Sequence, residues 1–135
     1  MNLLRESINK SKKWKYNRDF FQNNKLLYTI KEGLIKWHEI EPDVFLYSEI
    51  IFNNKRKTIT NFKFVFKGKT YKVYKDNGDL FYVSSNNNKA KNIIEDKMYD
   101  ISFDLIKNNN FLMKINVYDN KIPNVIITVK TNYLF

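Results

Sequence analysis

The sequence DVFLYSEIIFNNKRKTITNFKFVF, from Asp43 to Phe66, contains two apolar segments joined by a polar turn, NNKRK. Each segment has the length of a typical strand, and a short polar connection between two such segments is typical of a β-hairpin. We therefore predict antiparallel strands at Val44 to Phe52 and Thr58 to Phe66, and we expect this hairpin to open the main β region.

The second strand of this hairpin alternates between two kinds of residue. Three phenylalanines, Phe62, Phe64 and Phe66, fall on one side of the strand, and the lysines Lys63 and Lys67 fall on the other. Successive side chains of a strand point to opposite faces, so an alternating strand buries one face and exposes the other. The phenylalanines are predicted to lie in the core and the lysines in solvent.

Similar runs, separated by turn residues, predict the remaining strands. They lie at Leu26 to Ile30, Leu34 to Ile40, Thr70 to Lys75, Leu80 to Ser84, Tyr99 to Ile106, Leu112 to Asp119 and Val125 to Tyr133. Turns are predicted at Lys67 to Lys69, Asp76 to Asp79, Lys107 to Asn110 and Asn120 to Asn124, and a short helical turn at Asn92 to Asp96. Residues 26–40 fit either two strands around a turn at Gly33 or an amphipathic helix, and the β-favouring Ile35 and Trp37 favour strands.

The N-terminal segment lacks glycine and proline from Asn2 to Gln22. Its apolar or small residues at Leu3, Ser7, Trp14 and Phe21 would fall on one side of a helix. We therefore predict one domain of 135 residues, with an N-terminal α-helix in residues 1–24 and a β-sandwich in residues 26–135.

About seven short strands with turns at intervals of ~8 to 12 residues predict a mainly β protein, an antiparallel β-sandwich or barrel. An apolar strand, Asn53-Asn54, a short basic turn and then Lys57-Thr58-Ile59 lead into the next strand. This pattern resembles the opening of small immunoglobulin-like bacterial modules. The resemblance concerns the fold alone and implies a seven-strand, immunoglobulin-like sandwich.

Composition excludes several classes of function. The chain has no cysteine, which excludes disulfides and thiolate chemistry, and its three glycines are isolated, which excludes common nucleotide-binding loops. The N-terminus has no apolar run typical of a signal peptide, and no segment approaches the ~20 apolar residues of a membrane span. We expect a soluble, cytoplasmic protein without a membrane partner or a cofactor.

The net charge of +10 is concentrated in two blocks. Residues 1–40 contain nine basic and four acidic residues, and residues 61–75 contain five basic and no acidic ones. Both blocks interleave cations with aromatic rings, a pattern that can neutralise phosphates and stack on bases. The candidate partner-binding residues are Lys12, Lys13, Trp14, Lys15, Tyr16, Arg18, Lys63, Lys67, Lys69, Lys72 and Tyr74.

Each block also has a purely structural interpretation. Trp14 could anchor a solvated helix to the core, and the lysines of the second block could protect an exposed strand edge from aggregation. If strands pair across Gly68, then Lys63, Val65 and Lys67 share one face with Lys72 and Tyr74. That arrangement would be a flat cationic surface.

Catalytic constellations are weak in this chain. His38 is the only histidine, so a histidine-dependent triad or metal site lacks partners. Asp100 and Asp104 share one strand face, but an oxygen-ligated metal needs about three convergent ligands. Both carboxylates can instead pair with the Lys114 ammonium on the neighbouring strand. We expect a non-enzymatic protein with no catalytic, metal or cofactor-binding residues.

The expected function is therefore a binding module whose basic surface contacts a polyanion, with nucleic acid or a nucleoprotein complex as the leading candidate partner. The alternative is a protein-interaction or inhibitor module, of a kind that a mobile element could encode, that acts through exposed aromatic residues and a strand edge. A metal-dependent hydrolase using Asp100 and Asp104 is the second alternative.

Overall fold

The protein is described from a computed structural model, which describes residues 2–119 and 125–135. One helix, α1 (Leu3–Lys10), precedes ten strands. The strands are β1 (Lys13–Gln22), β2 (Lys25–Glu41), β3 (Val44–Asn53), β4 (Arg56–Lys67), β5 (Thr70–Lys75), β6 (Leu80–Val83), β7 (Lys89–Ile94), β8 (Lys97–Lys107), β9 (Asn110–Asp119) and β10 (Val125–Leu134).

All ten strands belong to one antiparallel sheet in the order β6-β5-β4-β3-β2-β1-β10-β9-β8-β7. Every strand pairs with its neighbour in sequence except β6 with β7, and β1 pairs with β10 to join the two halves. The sheet curls so that its edges β6 and β7 meet, and the Asn92 side-chain amide of β7 donates a hydrogen bond to the Phe81 carbonyl of β6. The result is a barrel that is nearly closed.

The predicted mainly β fold is confirmed, but the seven-strand immunoglobulin-like sandwich is wrong. Two segments that the sequence did not predict as strands are strands: residues 13–22, predicted to be helical, form β1, and residues 89–94 form β7. Strand alternation has the same period in a sandwich and in a barrel, because both bury one face of each strand. The pairing of β1 with β10, which joins the two halves of the wall, depends on contacts distant in sequence.

The predicted helix in residues 1–24 is also wrong beyond Lys10. Asn2 caps α1 by accepting hydrogen bonds from the Leu4 and Arg5 amides, and the helix buries Leu4 and Ile8 completely. After Ser11 the buried residues alternate, as Trp14 and Tyr16 show. A period of two is the pattern of a half-buried strand, and it overrides the helical spacing of a few apolar residues.

Residues 26–40 are strand and not helix, as the sequence favoured, but the predicted turn at Gly33 is wrong. β2 runs unbroken for 17 residues, and Gly33 lies opposite Tyr16 of β1. A β-carbon on Gly33 would overlap the ring of Tyr16. The glycine therefore makes room for a buried aromatic ring, which is a common reason for glycine inside a strand.

The hairpin that opens the β region is confirmed. β3 and β4 pair from Val44↔Val65 to Asn53↔Arg56, and Phe64 and Phe66 are buried while Phe62 packs against the core. The turns at residues 67–69 and 76–79 are confirmed, with Gly68 and Gly78 at positive φ.

The pairing of β8 with β9 confirms the next predicted hairpin. The helical turn predicted at Asn92 to Asp96 is wrong, because Asn92 lies in β7. The predicted turn from Asn120 to Asn124 lies outside the described residues, and the last strand is confirmed as β10.

The two ends of the barrel differ. At one end lie α1, the β2–β3 and β4–β5 turns and the β6–β7 connection, and Asn2 ties them together by donating to the Lys69 carbonyl (2.8 Å) and the Asn88 side chain (2.6 Å). Aromatic residues fill the interior beneath the helix, with Trp14 in ring contact with Trp37 and Phe111. We call this the helix end and the opposite one the open end.

Candidate functional site

The barrel interior contains a cavity of about 450 Å³ between the aromatic core and the open end. Side chains from nine strands line it, and most of them are apolar. The lining residues are Arg18, Phe20, Tyr28, Ile30, Tyr47, Glu49, Ile51, Thr60, Phe62, Phe64, Val73, Phe81, Tyr82, Phe103, Met113, Ile115, Val129 and Tyr133. Cavities of ~300–1,000 Å³ with apolar walls and a few polar groups are typical of small-molecule sites.

The cavity reaches solvent at the open end. Tyr28 and Thr60 line it and are exposed, Tyr28 with 55% of its surface accessible. The pairing between β2 and β3 runs from Glu41↔Val44 to Leu34↔Ile50 and extends no further among the described residues. The hairpins β1–β2 and β3–β4 therefore separate near the open end, beside Ile30 and Ile51 of the cavity wall.

An ion pair between Arg18 and Glu49 lies at the inner end of the cavity. The guanidinium of Arg18 binds both carboxylate oxygens of Glu49, with Nη1 2.9 Å from Oε2, and its Nε donates to Thr131 Oγ1 at 2.7 Å. Both side chains are largely buried, with 11% and 10% of their surfaces exposed. The fork of an arginine matches a carboxylate in this two-point arrangement.

Two tyrosines extend this polar group. The Tyr47 hydroxyl donates to Glu49 Oε1 at 2.6 Å, and the Tyr133 hydroxyl lies 2.9 Å from the Tyr47 hydroxyl. Because Tyr47 uses its single proton on Glu49, Tyr133 donates to Tyr47. We call Arg18, Glu49, Tyr47 and Tyr133 the polar floor of the cavity.

Burial and charge together fix the protonation of the polar floor. Burial opposes the charged form of Arg18, but the hydrogen bonds to Glu49 outweigh it and the pKa of Arg18 is raised. Burial raises the pKa of Tyr47 and of Tyr133. At neutral pH both phenols are therefore protonated, and Arg18 is a cation whose charge Glu49 balances.

A buried ion pair is weak evidence for stability, since removing two charges from water costs several kcal/mol per ion before their attraction offsets it. Such groups at the wall of an open cavity are instead typical of binding sites, where a few polar side chains orient a ligand. Within the described residues no cluster of three or more histidine, aspartate or glutamate side chains could hold a metal.

The structure divides the first predicted basic block between the inside and the outside of the barrel. Trp14 and Tyr16 are buried, with 1% and 2% of their surfaces exposed, and Arg18 belongs to the polar floor. The prediction that these aromatic rings stack on a base is therefore wrong, because strand alternation points them inward. Lys13 and Lys15 point outward on β1, and Lys12, also exposed, follows α1 and lies over the ring of Phe45.

The second block lies on the outside, with the predicted register. Lys63 pairs with Tyr74 and Val65 with Lys72, and the Lys63 ammonium lies 5.1 Å from the centre of the Tyr74 ring. Lys67 and Lys69 flank the turn at Gly68 near the helix end.

Neighbouring strands connect the two blocks on one outer surface. Lys13 pairs with Lys36, Lys36 with Ser48, and Ser48 with Asn61. Lys63 follows Asn61 by two residues on β4, so its side chain points to the same face. We call the outward lysines Lys13, Lys15, Lys36, Lys63 and Lys72 the outer basic face.

The remaining candidates are at the surface. His38 is exposed on β2, and Lys114 lies opposite Ser102, between Asp100 and Asp104 as expected for an outer strand face. The strand edges considered for protein binding, β6 and β7, face each other across the barrel closure.

Sequence reasoning missed Glu49, Tyr47 and Tyr133 as site residues. Tyr47 and Glu49 are two positions apart in a predicted strand, so they share the face that carries Phe45. A carboxylate on the apolar face of a strand requires a buried partner, and that requirement was the available signal.

No family model matches the chain, and no curated protein matches it closely enough to indicate a relationship. No helix in the part of the chain that the structure describes is long and apolar enough to cross a membrane; α1 has eight residues.

Proposed function

We propose that this protein binds an apolar small molecule inside its barrel, with the polar end of the ligand at the polar floor. The observation that carries the proposal is the cavity of about 450 Å³, walled by apolar side chains and ending at Arg18 and Glu49. The proposal keeps the expectation of a non-enzymatic binding protein and places the binding site inside the barrel.

The shape of the cavity supports one ligand in one orientation. Its outer part is bounded by rings and aliphatic side chains, such as Phe20, Tyr28 and Val129, and its charged side chains are at the inner end. An apolar chain gains about 25 cal/mol for each Å² of surface that it buries, whereas a polar group loses free energy unless it finds hydrogen bonds. The chain of the ligand therefore occupies the outer part and its head the floor.

The separation of β2 from β3 supports a route for entry. The tip of the β3–β4 hairpin is held only by its own strand pair, because among the described residues the β2–β3 ladder stops at Leu34↔Ile50 and the β4–β5 ladder at Phe62↔Lys75. The β1–β2 tip also pairs with β10 through β1, but not with β3. Backbone segments with few neighbours open most readily. A ligand enters between these hairpins, next to Tyr28 and Ile51.

Filling the cavity tests the proposal. Val129→Phe places a ring in the space that the ligand needs, and it should abolish the heat of binding of 1-octanol in calorimetry while leaving the protein folded. Val83→Phe is the matched control, since Val83 is exposed on the outer side of β6. Octanol binding that is equal in both variants, or absent in the wild type, would overturn the proposed site.

The outer basic face supports a second candidate function, binding of nucleic acid. The strand register brings lysines of both sequence blocks onto one surface, with Lys13 and Lys63 three strand spacings, about 15 Å, apart. Cations that are held on a rigid sheet can contact successive phosphates of a polyanion. Trp14 and Tyr16 are buried, so of the three aromatic residues predicted to bind the partner only Tyr74 lies beside these lysines.

A mobility-shift titration with generic RNA and DNA tests this second candidate. Binding at low salt should weaken steeply as salt rises, and neutralising Lys63, Lys67 and Lys72 to glutamine should weaken it further. Neutralising Lys89, Lys97 and Lys107, three exposed lysines on other strands, controls for the loss of net charge. No shift at low salt would exclude this function.

A further inference from the structure

The chemistry of the polar floor determines which head group the cavity accepts. We infer that the ligand carries an uncharged head that both donates and accepts hydrogen bonds, such as a hydroxyl or a primary amide, and that a carboxylate on the same chain binds more weakly. This inference rests on the proposed function, since it concerns the ligand of the same cavity.

The first argument is charge. Arg18 and Glu49 are the charged residues among the described side chains that line the cavity, and each neutralises the other. A carboxylate at the floor would share one guanidinium with the Glu49 carboxylate, and two like charges in a site of low polarity repel strongly. An ammonium head would meet the same problem beside Arg18. A neutral head leaves the ion pair intact.

The second argument is hydrogen-bonding capacity. Glu49 and Thr131 occupy three of the five N–H donors of Arg18, and Arg18 and Tyr47 occupy three of the roughly four acceptor positions of Glu49. The floor therefore has capacity of both kinds, donor on the arginine and acceptor on the glutamate. A hydroxyl or amide can use both at once, whereas a carboxylate can only accept.

The third argument is the rigidity of the floor. Tyr133 donates to Tyr47 and Tyr47 to Glu49, and both tyrosines are buried. Glu49 is therefore held by three hydrogen bonds, two from Arg18 and one from Tyr47, and cannot turn away to admit a second carboxylate. The preference follows from fixed groups, which is how buried polar side chains discriminate between similar ligands.

Calorimetric titration with three probes of equal chain length tests the inference. The wild-type protein should bind 1-octanol about tenfold or more tightly than octanoate or octylammonium at pH 7, a ratio that calorimetry resolves. Octanoate that binds as tightly as octanol would overturn the inference and leave the proposed function in place. Binding of none of the three would overturn both.

The variant Glu49→Gln tests the cause of the preference. It keeps the shape of the side chain and removes the negative charge, so Arg18 can then neutralise a ligand carboxylate. Octanoate should gain at least about tenfold relative to octanol. Glu32→Gln, at an exposed position of β2, makes the same change of net charge outside the cavity and should leave the wild-type ranking unchanged.

An unchanged ranking in a folded Glu49→Gln protein would overturn the role assigned to Glu49. If this variant does not fold, the ranking of the three probes by the wild-type protein decides the inference without it.

Discussion

Tyr47 and Tyr16 show how the same residue type acquires opposite roles inside one barrel. The Tyr47 hydroxyl donates to Glu49 and accepts from Tyr133, so it completes the polar floor. The Tyr16 hydroxyl is buried without a hydrogen-bond partner among the described residues, although its ring lies 4.9 Å from the Arg18 guanidinium. Removing the two hydroxyls should therefore have different consequences for stability.

Tyr47→Phe should lower the free energy of unfolding by about 1.5–3 kcal/mol, because a hydrogen bond to a charged group is lost in a buried site. Tyr16→Phe should leave it unchanged or raise it, since an unsatisfied hydroxyl is removed and the ring contact with Arg18 stays. Urea denaturation of both variants measures the difference. Equal destabilisation by the two substitutions would contradict the hydrogen-bond assignment.

At the scale of single residues, the sequence predicted part of the site. The alternation of β4 correctly pointed the phenylalanines inward and Lys63 outward. In the structure β3 also alternates and carries Glu49 inward, but its partner Arg18 is 31 residues away in a segment predicted to be a helix. An ion pair between two elements cannot be found while one of them has the wrong secondary structure.

Among the elements, α1 closes one end of the barrel, the end opposite the mouth of the cavity. Its N-cap, Asn2, is nearly completely buried and makes four hydrogen bonds, two within the helix and two to Lys69 and Asn88. These bonds join the helix to the β4–β5 turn and to the start of β7. The helix is therefore part of the barrel and not an appendage.

Asn2→Ala should destabilise the protein by about 2–4 kcal/mol. Loss of an N-cap costs ~1 kcal/mol, and the acceptors left unpaired at the partly buried Lys69 carbonyl and the buried Asn88 side chain add ~1–3 kcal/mol. Asn9→Ala, on the exposed side of the same helix, should change stability by less than about 0.5 kcal/mol. Thermal or urea unfolding checks both, and an equal effect of the two would show that α1 is not held by its cap.

The elements that the sequence predicted correctly have strong local signals. Asn77-Gly78 and Lys67-Gly68 mark their turns because glycine adopts positive φ at little cost. β1 and β7 have weaker local signals, since charged or amide residues occupy many of their outward positions. Their strand conformation depends on pairing with β2, β10 and β8, which no short window of sequence contains.

At the scale of the whole molecule, the interior is rich in buried tyrosines. Burial raises the pKa of Tyr16 to about 12 and also raises the pKa values of Tyr47, Tyr71, Tyr82 and Tyr133. Tyrosines in the unfolded chain ionise near pH 10. Above that pH the unfolded state therefore loses protons that the folded state keeps.

Stability should accordingly be unaffected by these groups below about pH 9 and should fall as pH rises above ~10. Each buried tyrosine contributes up to about 1.4 kcal/mol per pH unit between its unfolded and folded pKa values. Urea denaturation at a series of pH values from 8 to 11.5 measures the slope. A free energy of unfolding that stays constant to pH 11 would contradict the burial of these hydroxyls.

The closed architecture was the part of the fold that the sequence did not specify. Turn spacing and alternation predicted antiparallel neighbours, and these are correct for β3–β4, β4–β5, β5–β6 and β8–β9. Whether a set of hairpins packs as two layers or curls into one wall depends on the pairing of the first strand with the last. The cavity follows from that closure, so its lining could not be predicted either.

The central claim is that the barrel interior holds the ligand, and nuclear Overhauser effects between 1-octanol and the protein test it most directly. The structure predicts contacts from the octanol chain to the side chains of Phe20, Tyr28 and Val129, and from the carbon that bears the hydroxyl to Tyr47 or Tyr133. Contacts confined to exposed apolar side chains such as Phe52 and Ile93, or no contacts at all, would contradict the claim.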